Sequence, residues 1–206
     1  MKLTSWIRGR GRLVVGGLLL VTLGAAAALP SCSSPIPNRN PVGEAFPQVT
    51  GTGLDDTDWL LPDDLAGEPA LLLIGYKQRT QFDIDRWALG LSLAGQLNAE
   101  FGSEGPLGPL RFDVKLLEIP TIPGLVPTVI SGWIDDGMRG GIPEDLWAAV
   151  VTVYGDDAIT EWTGTERGNN ARVVLLDADG QAVWFWDQGF SPDALLDLGE
   201  RLAALE

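Results

Sequence analysis

The sequence predicts an α/β domain built on a mixed central sheet flanked by helices. Two observations carry this. Short unbroken apolar runs alternate with helical stretches along the chain, which implies a largely parallel sheet covered by helices. The alternation then ends in two apolar runs joined by Ala178-Asp179-Gly180, and Asp-Gly between strand patterns is a strong hairpin signal that makes the sheet mixed.

The elements follow in order. Glu68–Tyr76 contains Leu71-Leu72-Leu73-Ile74 after a Gly-Glu-Pro break and reads as a strand buried on both faces. Thr80–Phe101 reads as a helix in which Phe82, Trp87, Leu91, Leu97 and Phe101 form one broad apolar face. Leu110–Ile119 alternates Phe112, Val114 and Leu116 with polar partners and reads as a strand. Thr128–Gly140 reads as a helix with Arg139 in its last turn and a Gly-Gly stop. Leu146–Tyr154 is a further buried strand, and Asp156–Trp162 a short helix with an acidic start. Arg172–Asp177 and Gln181–Asp187 are the hairpin strands. Ser191 caps a last helix through Leu205, with Pro192 at its first position.

The N-terminus has a different character. Lys2, Arg8, Arg10 and Arg12 precede an apolar run, Leu13–Leu29, which is the pattern of a secretory signal. The run leads into Pro30-Ser31-Cys32-Ser33 and resembles the lipobox of bacterial lipoproteins, although Pro30 is unusual there. That resemblance implies a signal peptide over 1–31, lipid on Cys32, and a lipid-anchored protein facing the periplasm of a bacterial envelope. Ser33, not being Asp, favours the outer membrane where there are two. Cleavage elsewhere, or retention as an anchor helix, are the other readings. Ser33–Pro47 holds four prolines among Ser, Asn and Gly and reads as a semi-rigid tether, 32–47, leaving 48–206 as the domain.

Composition excludes several functions. The chain has 28 acids against 14 bases, no histidine and one cysteine. Removing the four N-terminal bases leaves ten against 28, a net charge of −18. Such a body does not bind nucleic acid, which requires basic surface. Without imidazole there is no Ser–His–Asp catalysis and no His-containing zinc site. No cofactor is expected.

Several segments are similar to the thioredoxin-like superfamily. Val42-Gly43-Glu44-Ala45-Phe46-Pro47 resembles the start of peroxiredoxin and lipoprotein-type thioredoxin domains. Leu65-Ala66-Gly67-Glu68-Pro69 leading into Ala70–Leu73 resembles their run into the first central strand, and Val173–Val183 resembles their hairpin. Gly189-Phe190-Ser191-Pro192 is similar to the start of their last helix. Gly137–Pro143, the Val-Thr-Val-Tyr-Gly-Asp strand exit and the Leu-Leu-Asp hairpin resemble the mitochondrial ATP synthase assembly factor family, a redox-inactive branch. The resemblance implies a thioredoxin-like three-layer sandwich. Two departures matter. Where redox members present cysteine, this chain has Lys77-Gln78-Arg79-Thr80-Gln81. Where they present a cis-proline, it has Gly168-Asn169-Asn170-Ala171-Arg172. Thiol–disulfide exchange needs a thiolate, so the expected protein is not an enzyme.

The remaining candidates each have two readings. Lys77, Gln78, Arg79, Thr80, Arg139, Asn169 and Asn170 form a candidate binding edge for an anionic group or for another envelope or membrane protein, in keeping with ligand placement beyond strand C-termini. Otherwise Lys77 and Arg79 balance Asp83 and Asp85. Asp55, Asp56 and Asp58, within an acidic stretch through Asp64, suggest a hard-cation site, and with it a metal- or carboxylate-dependent enzyme or small-ligand binder. Otherwise they make turns in a solvated loop. Asp177–Gly180 reads as a turn. Trp184-Phe185-Trp186 is either an exposed aromatic platform or core packed under a helix, while Trp133, Trp147 and Trp162 are expected to pack between helices and sheet.

Overall fold

A computed structural model of the 206-residue chain describes residues 34–124 and 128–205. The expected signal segment and Cys32 lie outside the described residues. Ser34–Glu206 is one unit by its contacts.

The centre of the sheet is set by the most apolar run. Its six residues Ala70–Gly75 (β3, after β1, Val49–Gly53, and β2, Asp58–Leu61) are all buried. They pair in parallel with β4 (Lys115–Ile122) on one side and antiparallel with β6 (Arg172–Leu176) on the other. With β5 (Val151–Tyr154) and β7 (Ala182–Trp186), the seven-stranded order is β2-β1-β5-β4-β3-β6-β7. Strands β3, β4 and β5 are parallel, and the other neighbours antiparallel.

Helices α1 (Gln81–Phe101) and α4 (Pro192–Ala203) cover one face, over Leu71, Leu73, Val173, Leu175 and Trp184. The opposite face carries Leu72, Ile74, Ile119, Val153 and Val174 beneath Trp162 of α3 (Ala158–Thr163) and beneath Phe46. Period-two alternation along β3 and β6 thus feeds both cores at once. α2 (Thr128–Arg139) is tied to β5 by the Tyr154 hydroxyl, which donates to the Ser131 carbonyl and to Asp135 Oδ1 at 2.7 Å. No helix among the described residues is long and apolar enough to cross a membrane.

Several expectations are corrected. The 34–47 segment, read as tether, is extended but docked. Ile36 N–H donates to the Thr165 hydroxyl and its carbonyl accepts from Thr165 N–H, Phe46 N–H donates to the Gly180 carbonyl, and Phe46 packs edge-on against Trp162 at 5.2 Å. Proline enforces extension, but Ile36 and Phe46 supply apolar surface worth burying.

The stretch Asp55–Asp64, read as a loop, is largely a β-hairpin. Its first strand, Val-Thr-Gly-Thr-Gly, has little apolar pattern because Gly51 must be bare. A Cβ there would lie 2.6 Å from Val151 Cγ1. The strand expected from Leu110 begins at Lys115, since Phe112 is buried against Gly199 of α4 and Arg111 N–H donates to the Gly199 carbonyl. The strand expected from Leu146 begins at Val151, after a 3-10 turn over Glu144–Ala149.

The expected single face of α1 is two faces. Trp87 and Leu91 are buried, whereas Phe82 and Phe101 point outward. Trp162 is buried and Trp147 half-buried, but Trp133 is 78% exposed.

Candidate functional site

Beyond β3 the backbone leaves the sheet at Tyr76 and passes through an extended Lys77 into a 3-10 turn, Gln78–Thr80, that runs directly into α1. The turn is closed by Thr80 N–H donating to the Lys77 carbonyl at 2.8 Å. Thr80 is fully buried, and its hydroxyl donates to the Gly168 carbonyl at 3.0 Å. Because β6 runs antiparallel to β3, with Arg172 opposite Ile74, the segment before β6 arrives beside this turn. The Lys77 stem lies on Gly168, where a Cβ would meet Lys77 Cε at 3.1 Å.

Asp83, in the first turn of α1, staples the arrangement. Its Oδ2 accepts from Ala171 N–H at 2.9 Å and its Oδ1 from Phe190 N–H at 2.7 Å, so one buried carboxylate holds both the approach to β6 and the approach to α4. Asn170 Nδ2 donates to the Asp187 carbonyl at 3.0 Å, while Asn169 is exposed.

Lys77, Gln78, Arg79, Thr80, Asn169 and Asn170 therefore lie at one end of the sheet. Arg139 does not join them. Its guanidinium donates to the Leu54 carbonyl at 2.8 Å, pairs with Asp56 at 2.5 Å and Asp136 at 3.4 Å, and lies over Trp147. Leu54 follows the end of β1 that pairs with the start of β5, at the opposite end of the parallel strands. Desolvation of the Arg139 guanidinium opposes the two aspartates, which prevail and hold its pKa above the ordinary value.

The acids around the edge do not neutralise it. Asp83 is turned inward onto amides, and Asp85 accepts from Gln81 at 3.1 Å. Lys77 and Arg79 are exposed and make no ion pair among the described residues.

The acidic stretch is differently engaged. Asp55 Oδ1 accepts from Thr57 N–H at 3.2 Å, Asp56 pairs with Arg139, and Asp64 Oδ2 accepts from Leu60 N–H at 2.6 Å. Asp58 is exposed on β2. Among the described residues no three potential metal-ligating side chains converge. In the hairpin, Asp177 Oδ1 accepts from Asp179 and Gln181 N–H, closing the turn. Trp184 is buried and donates to Asp197 Oδ2 at 2.6 Å, so Trp184 and Trp186 pack under α1 and α4, while Phe185 packs against the core of the opposite face.

Behind the loop lies a buried cation not singled out from the sequence. Arg172 opens β6 with no solvent exposure. It donates to the carbonyls of Arg167 at 2.6 Å, Asn170 at 3.0 Å and Gly164 at 3.1 Å, and to Asn38 Oδ1 at 3.3 Å. Its guanidinium lies 4.8 Å over the Tyr76 ring, and burial lowers its pKa. The Tyr76 hydroxyl is shared with Thr163 and Ile159, and burial pushes its pKa up to about 12. An arginine at the head of an otherwise apolar strand was the available signal.

A βαβ unit, β3-α1-β4, followed by the antiparallel β6–β7 hairpin and a closing α4 on the α1 face, superposes on a Bacteroides thetaiotaomicron protein assigned as a disulfide isomerase. The TM-score is 0.50 over 84% of this chain and 94% of that one, at 14% identity. The fold is thioredoxin-like. Other solved structures also overlap with the chain. They include the exposed lipoprotein thioredoxin Etrx1 of Streptococcus pneumoniae (12% identity, TM-score 0.46, 75% of this chain and 99% of that). Copper-bound yeast Sco1 is another (12%, 0.48, 82% and 96%). No protein-family model matches the sequence, and no curated protein matches it significantly.

The equivalence expected from the sequence resemblance sets the Lys77–Gln81 loop against the cysteine position of redox members and the Gly168–Arg172 segment against their cis-proline, and the two segments do lie side by side in this fold. Here the first position is a cationic turn, and the second is held by the Asp83 and Thr80 hydrogen bonds.

Proposed function

We propose that this is an exported, lipid-anchored, thioredoxin-fold protein that performs no redox chemistry and acts as a binding or assembly factor for another protein of the bacterial envelope. The observation that carries the reading is the pair Lys77 and Arg79. They are exposed, make no ion pair among the described residues, and sit on a hydrogen-bonded turn at the C-terminal end of the central strand, in a chain with 28 acids and 14 bases. Ligands in open α/β sheets bind at this end. The loop has neither thiol nor imidazole, so its chemistry is recognition of negative charge. An acidic segment of a partner fits it, because one ammonium, of Lys77, and one guanidinium, of Arg79, provide orientation and steering at little desolvation cost. The lipobox-like Leu29–Cys32 and the resemblance to a redox-inactive assembly-factor branch support the envelope location and the assembly role.

The test uses a photoactivatable residue at Gln78 in the full chain, with one at Asp58 as control. Crosslinks to an envelope protein from position 78 alone, lost in the K77E/R79E double variant while the melting temperature is kept, are the expected result. A double variant that retains every crosslink refutes the reading.

A further inference from the structure

Helix α1 buries Ile84, Trp87, Leu91 and Ala94 against the sheet, yet its outward side is also apolar. Phe82 is 68%, Leu89 60%, Leu93 52% and Leu97 37% exposed. A helix apolar on all sides is normally covered on all sides. The uncovered residues form a stripe, since positions four and seven apart lie on one face of a helix. Within its central part, from Arg86 to Glu100, the order is symmetric, and Phe82 and Phe101 lie outside that part. Leu89 and Leu97 lie four residues either side of Leu93. Arg86 and Glu100 lie seven residues either side, both exposed and neither in an ion pair among the described residues.

That symmetry identifies the occupant. A twofold interface brings the same patch of two copies together, so residue i faces j and j faces i. Turning a second α1 antiparallel about an axis through Leu93 sets Leu93 against Leu93 and Leu89 against Leu97. It also sets Arg86 against Glu100, twice. An unrelated partner requires no such reciprocity. A membrane surface fits less well, because interfacial helices flank their apolar face with bases, whereas this stripe sets Asp85 and Glu100 beside a single base, Arg86.

We propose that α1 is a self-association face, through which two copies of this chain pair by antiparallel α1–α1 packing centred on Leu93, at a shallow crossing angle. The stripe's own charges cancel, so the acidity of the two bodies is not concentrated at the contact. One helix face covers less than the roughly 800 Å² per partner of a standard stable interface. The dimer is therefore weak and reversible, and it is favoured when both copies are confined to one surface.

Cysteine crosslinking in cells expressing the full chain tests this. L93C places thiols at the axis, and D58C on the far edge of the sheet serves as control. Cys32 is present in every variant, so the wild-type chain gives the background. Expected is an oxidant-dependent homodimer from L93C alone. Adding R86E or E100R singly turns two attractions into two repulsions and lowers its yield about tenfold. R86E/E100R together restore it. All these positions are exposed, and unchanged thermal melts of the variants confirm that folding is not the cause. No homodimer from L93C, a homodimer indifferent to the single swaps, or one that the double swap fails to restore, each overturns the proposal. So does an L93C crosslink to a different protein, or flotation with lipid vesicles that L93D abolishes while no homodimer forms.

Discussion

Replacing Asp83 with alanine should be among the most damaging single changes available at the candidate site, although Asp83 touches no ligand. Its carboxylate is 4% exposed and accepts from two backbone amides, Ala171 at 2.9 Å and Phe190 at 2.7 Å. Alanine removes both acceptors and leaves two donors in the protein interior. Each unsatisfied buried group costs about 1–3 kcal/mol, more where the lost partner was charged. D83A should therefore lose about 4 kcal/mol, a large part of the roughly 5–15 kcal/mol typical of a domain. At this chain length that corresponds to a fall of about 12 °C in melting temperature. Asparagine keeps one acceptor and aims an N–H₂ at the other amide, so D83N should lose about 2–3 kcal/mol. The assay is urea unfolding with the slope held constant across variants. Native-state hydrogen exchange adds site resolution, with the Ala171 and Phe190 amides losing protection beyond the global change. A D83A loss under about 1 kcal/mol would mean that water or backbone satisfies those amides. The staple would then not be what positions the loop.

Three further outcomes follow from the same coordinates. Burial holds the Tyr76 phenol at about 12, and Tyr154, half-buried and donating to Asp135, is raised as well by desolvation and that hydrogen bond. The unfolded chain releases the phenolic proton near 10 while the fold retains it. The Tyr76 contribution, about 2–3 kcal/mol, is thus fully present below pH 10 and disappears between about 10 and 12. Absorbance at 295 nm should stay flat until unfolding begins. Burial likewise raises the Glu118 carboxyl, against the Gln81 hydrogen bond. The fold is then favoured below the ordinary glutamate range and loses that contribution as pH rises through it, so E118Q should be more stable than wild type at pH 7 and less pH-dependent, as read by urea midpoints at pH 4 and 7. G51A would set a methyl 2.6 Å from the buried Val151 Cγ1 and 3.1 Å from the Thr152 carbonyl. It should cost about 1–3 kcal/mol, and a neutral thermal melt would show that β1 can move.

The sheet centre, its order of elements and the closing hairpin were legible because their residues obey one rule at a time. Leu71–Ile74 is apolar throughout because both faces are covered, and Asp179-Gly180 makes its turn locally through the Asp177 carboxylate. The misreadings arise where two rules compete. Gly51 gives up its side chain to let β5 approach, which interrupts the strand pattern of Val49–Gly53, so its hairpin partner Asp58–Leu61 passes for an acidic loop. The prolines of 34–47 announce extension, but not whether the extended chain is free or docked on Thr165 and Gly180. At the site, the Lys77–Thr80 turn and the Gly168–Asn170 segment could be paired from the fold resemblance. Arg139 could not be excluded, because its charge is indistinguishable in sequence from theirs and only the hairpin carrying Leu54 and Asp56 claims it.

The roles of neighbouring acids and bases also separate once burial is known. Asp83 follows Lys77 and Arg79 closely in sequence, and charge balance was the simplest account of all three. In the fold Asp83 belongs to the amides of Ala171 and Phe190, while Arg172 belongs to the carbonyls of Arg167, Asn170 and Gly164. Two buried charges thus fix the backbone on both sides of the edge without pairing with it. The geometry beneath the loop does not depend on what the loop presents. The cationic turn is held by hydrogen bonds from below, through the Thr80 hydroxyl and the Asp83 carboxylate. Lys77 and Arg79 can accordingly be reversed in charge without disturbing their support, and that separation is what allows binding at this edge to be tested apart from stability.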